Sequence, residues 1–126
     1  MNQLNLSLPD WINSFLNEFP KIIPDPEKQM RFVLALTERN IREETGGPFG
    51  SAVFERESGK LVSVGVNVVV RQNCSAAHAE MMALMLAQKE LGHFDLGAEG
   101  FPGHRLVTSG KNVCNVPREC LLVRSQ

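Results

Sequence analysis

The 126 residues contain no tyrosine, a single tryptophan and three cysteines. Three thiols are too few for a disulfide framework, and the start MNQLNLSLPDW lacks a basic stretch leading into an apolar core. A secretory leader is therefore not expected, and a reducing compartment, the cytoplasm, is. An excess of either charge is missing as well: 13 Lys and Arg stand against 14 Asp and Glu, for a net charge of −1. The basic residues are dispersed, so no stripe exists to neutralise a phosphate backbone, and duplex nucleic acid is not an expected partner. Apolar runs fall far short of the roughly 20 residues that a membrane span needs. There is no internal repeat and no low-complexity segment. A phosphate-binding loop is missing too, because GGPFG at 46–50 does not open a helix. What remains is an ordinary globular composition, 43% hydrophobic and 21% charged, sized for one domain over 1–126. Within it, 1–24 reads as an N-terminal extension and 112–126 as an atypical tail.

Local patterns predict an α/β layer with a mixed sheet, in the order helix, strand, strand, helix, strand. WINSFLNEF predicts a short helix after Pro9 with Asp10 as its cap. DPEKQMRFVLALTERNIREETGG carries a fuller helix grammar: Asp25 as cap, Pro26 at the first position, Glu27 in the first turn and Gly46-Gly47 as the stop. Its buried stripe is expected to hold Met30, Phe32, Val33, Leu34, Leu36 and Ile41. Two β-rich runs, 52–54 and 61–70, flank the turn-forming ESGK and predict a hairpin. SAAHAEMMALMLAQKELG is apolar almost all round over 76–87, which marks a helix buried on several sides, closed by Gly92. Residues 106–108 give a short strand, and little periodicity follows Ser109.

The chemistry-bearing tripeptide is His78-Ala79-Glu80, at the mouth of that buried helix. Two residues apart on a regular helix point to nearly opposite sides, but at a loop-to-helix junction both side chains can serve one pocket. Neutral imidazole is a common metal ligand, and a carboxylate beside it can carry protons. Taken alone, the tripeptide is equally a cap and a charge placed favourably at a helix start. Its surroundings add to it. GGPFGSAVFE, GVNVVV, CSAAHAEMMAL and LVTS follow in this order, with strands and helix between them. The series resembles the zinc-dependent cytidine, deoxycytidylate and guanine deaminase family, in its nucleobase and nucleoside branch, from about Gly46 to Ser109. That family joins H-x-E to a later P-C-x-x-C, with three protein ligands and a non-ligating glutamate.

The resemblance implies a three-layer α/β/α deaminase-like fold, with C-terminal strands and helices of the family missing from this chain. It implies a zinc cofactor held by His78, with Glu80 moving a proton from water to a ring nitrogen and then to the departing amine. Asn67 would hydrogen-bond the base, the backbone of Ala79 would touch its polar edge, and Phe49 would line the pocket unless it packs in the core. Cys74 reads as a small buried hydrophobe, and His93 and His104 as solvated loop residues without a role. The implied reaction is hydrolytic deamination of a small-molecule nucleobase, nucleoside or nucleotide, in a chain that forms a homodimer.

The tail departs from the pattern. Counting from Thr108-Ser109, the ligand cysteines of the family fall on Val113 and Val116, and its proline on Asn112. Cys114 and Cys120 are the candidate thiols left, one of them an immediate neighbour and the other beyond Pro117. Valine has no lone pair, so one imidazole would remain where zinc wants three donors. A valine codon ending in G, read one nucleotide late, encodes cysteine before both Cys114 and Pro117. The shifted frame permits Met-Cys-Ala-Met-Cys-Leu-Gly, and the expectation is that 112–126 arises from such a shift. Resequencing of the coding DNA tests this: an uninterrupted frame without a cysteine-bearing alternative overturns it. As written, the chain is expected to be an impaired deaminase. The alternative is a non-catalytic deaminase-like fragment serving as a folding or interaction module.

Overall fold

The computed structural model describes residues 2–97 and 102–110, and the backbone of 113–115. Helix α1 (Ile12–Leu16) leads to α2 (Pro26–Arg42), then to strands β1 (Gly50–Glu55) and β2 (Leu61–Val66). A short α3 (Val69–Gln72) and the long α4 (Ala79–Leu91) precede β3 (His104–Thr108) and β4 (Val113–Asn115). The sheet order is β2-β1-β3-β4. Helix α2 covers one face, through Val33 and Thr37 over Gly50, and α4 covers the other, through Ala79 and Ala83 over Gly65. This gives the expected α/β/α layering.

The start of α2 follows its sequence signals. The Asp25 carboxylate accepts from the Glu27 N–H at 3.0 Å, with Pro26 at the first helical position. The end does not wait for the glycine pair. Glu44 takes a left-handed φ of 57°, so the helix closes at Arg42 and the glycines are left for the loop. Phe32, Val33 and Leu36 are buried as expected, but Leu34 and Ile41 are 49% and 50% exposed. Gln29, Thr37 and Asn40 complete the buried side instead. Helix α1 is capped at Trp11, without a side-chain bond, and not by Asp10.

The hairpin is present, with a register shift between Val53 and Phe54 that leaves Val62 as an extra residue on β2. Strand β2 stops at Val66 rather than running to Val70, because Asn67 accepts from the Val69 N–H and starts the turn of α3. Every pairing among the described strands is antiparallel, which corrects the mixed sheet. The physical reason lies in the crossover. Helix α4 carries the chain back so that β3 runs parallel to β2, yet β3 enters on the far side of β1 and meets only an antiparallel neighbour. The tail adds the unexpected β4 to the other side of β3.

Candidate functional site

All four motif segments converge at one end of the sheet. The start of β1 and the end of β3 meet through the Ser51–Thr108 pair. They are locked where Ser109 N–H donates to Gly50 O at 3.0 Å and Gly50 N–H donates to Ser109 Oγ at 3.1 Å. The end of β2 joins them through Asn67 N–H to Phe49 O at 3.2 Å. The loop before α4 is tied to the same place by Val68 N–H to Ala77 O at 3.0 Å. Gly65 lets the first turn of α4 lie directly on β2: a Cβ there would collide with the carbonyl oxygen of Ala79. The helix mouth therefore lies at the end of β2, where Asn67 follows Val66.

His78 occupies the cap position of α4 with extended backbone (φ −73°, ψ 160°). Its side chain makes no capping bond and is exposed, so the imidazole is not consumed by the helix start. Because His78 is outside the helical turn, the opposite-sides rule for i and i+2 does not separate it from Glu80. Glu80 stands in the first turn, half-buried, and no ion pair engages it among the described residues. Ala79 is buried, and its N–H belongs to the first-turn amides that lack an intrahelical partner. Asn67 uses its Oδ1 to accept from the Val69 N–H at 3.1 Å, which leaves its Nδ2 as the side-chain donor outside that bond. Phe49 is 47% exposed at this end, not packed in the core. His78, Ala79, Glu80, Asn67 and Phe49 are thus brought to one end of the molecule.

Of the three cysteines, only Cys74 has its side chain among the described residues. Cys74 is half-buried rather than fully buried, because it packs only against the edge of the apolar core. Cys114 stands opposite Leu106 in the register and Val113 opposite Val107, set back from the strand end marked by Thr108. Cys120, Val116 and Asn112 lie outside the described residues. Zinc sites want three protein donors and an open position. Among the described residues no group of three His, Cys, Asp or Glu side chains gathers to provide them. By themselves these residues do not fit a zinc ion; His78 is one donor.

His104 also departs from expectation. It is 1% exposed on β3, with Nδ1 3.0 Å from Leu96 O, because its strand position faces α4 and not solvent. His93 is half-buried and its Nδ1 accepts from the Asp95 N–H at 2.9 Å, so it is not a bare loop histidine either. Sequence reasoning passed over Asn40, which bonds to both Gly47 O and Asn67 O beneath the mouth. The signal was available: an asparagine is a poor helix former, and here it sits on the apolar stripe of α2, four residues after Leu36.

Comparison with known proteins agrees with this geometry. The family profile described as the cytidine and deoxycytidylate deaminase zinc-binding region matches residues 24–112. No curated protein matches the chain. Among solved structures, a guanine deaminase from Nitrosomonas europaea is 47% identical, with a TM-score of 0.77, over 86% of this chain and 59% of its own. NE0047 in complex with 2,6-diaminopurine is likewise 47% identical at a TM-score of 0.77, over 85% of this chain and 56% of its own. A guanine deaminase from Bacillus subtilis is 29% identical, TM-score 0.60, over 68% of this chain and 50% of its own. The chain thus spans somewhat more than half the length of the first two and half of the third. With 89 consecutive residues (24 to 112) inside one profile and the motif segments meeting at one helix mouth, the chain belongs to the cytidine and deoxycytidylate deaminase family, whose members bind zinc.

Proposed function

We propose that this chain carries the helix half of a guanine-type nucleobase deaminase site, and that it is impaired as a catalyst. The observation that supports this reading is the meeting of His78, Glu80 and Asn67 at one sheet end in a chain 47% identical to a guanine deaminase. The overall change would add water at the amino-bearing ring carbon and release ammonia, leaving a carbonyl. Glu80 would take a proton from the water and deliver it first to the neighbouring ring nitrogen and then to the departing amine. The Asn67 Nδ2–H and the Ala79 N–H would hold the polar edge of the base, and Phe49 would cover its face. His78 would give one metal donor. Impairment follows from the valines at 113 and 116, where the family places its thiolates. A homodimer belongs to the same proposal, and sedimentation of the purified chain checks it.

The test is elemental zinc on the purified chain together with ammonia released from guanine. The expected result is well under one zinc per chain and slow release that Glu80→Gln removes. Release that Glu80→Gln leaves untouched, or none at any added zinc concentration, overturns the catalytic reading. A second reading, a deaminase-like module without catalysis, is favoured by the incomplete donor set among the described residues. It predicts no zinc, no ammonia and identical behaviour of the parent and Glu80→Ala.

A further inference from the structure

A chain of hydrogen bonds runs from the N-terminal segment to the floor of the mouth. The Trp11 indole N–H donates to Thr45 Oγ1 at 3.0 Å. The Thr45 hydroxyl donates to Asn40 Oδ1 at 2.6 Å. Asn40 Nδ2 then donates to Gly47 O at 3.0 Å and to Asn67 O at 3.2 Å. Asn40 and Thr45 are both buried. The Thr45 hydroxyl accepts on one side and donates on the other, which orients its O–H. A carboxamide has one acceptor oxygen and two donor hydrogens, and all are used here. If the Asn40 amide turned over, Nδ2 would face the hydroxyl and Oδ1 would face two carbonyls, so the Thr45 bond selects the orientation that suits the mouth. Gly46 allows the crowding: a Cβ on it would strike Asn67 O and come within 2.9 Å of Asn40 Nδ2. From outside, Trp11 is held by Phe15 edge-to-face at 5.9 Å and by the Arg39 guanidinium 5.6 Å from its ring centroid.

We propose that Asn40 is a positioning residue for the base-facing Asn67 and the Gly46–Phe49 loop, and that Trp11 and Thr45 set its orientation from the N-terminal segment. The consequence is that an element remote from the chemistry fixes the pocket. Asn67 is held at its carbonyl by Asn40, at its N–H by Phe49 O and at its Oδ1 by the Val69 N–H, which leaves Nδ2 as the side-chain donor outside these bonds. Only the link to base binding rests on the deaminase reading above; the clamp itself does not.

The experiment measures amide hydrogen exchange and purine binding on the full chain, for the parent, Thr45→Val, Thr45→Ser and Trp11→Phe. Thr45→Val keeps the side-chain shape and removes the relay. Exchange at the Asn67, Val68 and Val69 amides should rise about tenfold, while the β1 and β3 amides hold their protection. Thr45→Ser should restore the parent rates, and Trp11→Phe should produce a smaller rise at the same amides. Calorimetric binding of 8-azaguanine should weaken about tenfold in Thr45→Val, with the same rescue by serine. Unchanged exchange at those three amides overturns the proposal whether or not a purine binds. A uniform rise across β1 and β3 also overturns it, because that is loss of core stability. A local rise with rescue in a parent that binds no purine upholds the clamp and overturns the deaminase reading instead.

Discussion

Under α2 the sheet is covered with rings; under α4 a column of alanines brings helix backbone onto the strands, beside the larger buried Leu84, Leu96 and Leu106. On the first face Phe32 stands 5.7 Å from Phe15, 5.0 Å from Phe19 and 6.1 Å from Phe54, all between ring centroids. On the second, Ala79, Ala83 and Ala87 follow one another at four-residue steps above Ser63 and Gly65. The Ser63 hydroxyl reaches the Ala83 carbonyl at 2.6 Å, a strand side chain bonding helix backbone, which only close approach permits. Large side chains bury much apolar area and tolerate small adjustments of helix position. Small ones bury little and fix position to within about one methyl group. Both faces bury large side chains, but only the second, the small face, has an alanine column that fixes how closely its helix lies, and the candidate site stands at the end of that column.

The sharpest way to break this contrast is Phe32→Ala. Truncating a fully buried ring removes its transfer energy and leaves a cavity, a loss of about 3–5 kcal/mol. Domains of this size have about 5–15 kcal/mol in hand, so the urea midpoint should collapse. A loss under about 1 kcal/mol would mean that the ring cluster is not where stability resides. Next comes Gly65→Val. The side chain would meet the Ala79 carbonyl and the Ala83 nitrogen, so α4 must lift. Overpacking of this kind costs about 1–3 kcal/mol, less than the Phe32 truncation. On the proposed reading its effect on purine binding should nevertheless be the larger of the two at temperatures where both variants are folded. If Gly65→Val binds 8-azaguanine like the parent, helix position does not govern the mouth.

The same contrast explains what was legible in the sequence. Helix α2 was readable because Asp25, Pro26 and Glu27 state its start in local chemistry. The Gly65 contact was not, because a glycine in a strand does not say what approaches it. The buried stripe on α2 departs from hydrophobicity at Leu34 and Ile41, which are exposed, while Thr37 and Asn40 hold the buried positions. Those two polar side chains find bonds within the fold, Thr37 with the Val33 carbonyl and Asn40 with the mouth. His104 differs for the complementary reason, since a strand start two residues too late leaves it in a loop. The convergence of the segments bearing His78, Glu80 and Asn67 was legible through ordered motifs, a pattern of neighbours rather than of periodicity. Its support by Trp11 and Thr45 is a contact across 34 residues that no window along the chain contains.

A smaller effect is expected at Ser63→Ala. The hydroxyl bond to the Ala83 carbonyl is lost, but that carbonyl belongs to a helix interior, so the cost is about 1 kcal/mol, read from the urea midpoint. A drop as large as that of Phe32→Ala would show that the small face carries stability after all.

The smallest change in stability should come from Glu80→Gln. In the first turn of α4 the carboxylate favours the positive helix end, an interaction of about 0.3–1 kcal/mol for exposed groups. Glu80 is half-buried and forms no ion pair among the described residues, so part of that gain is offset by the cost of removing a charge from water. The net shift in the urea midpoint should correspond to about 0.5 kcal/mol or less. A glutamine keeps the shape and cannot carry a proton, so on the proposed reading guanine-dependent ammonia release falls to background in a protein that is otherwise unaltered. At Phe32 stability goes first and function follows it; at Glu80 function goes and stability stays. A stabilised Glu80→Gln that still releases ammonia would reduce this carboxylate to a partner of the helix end and remove the chemistry from the small face altogether.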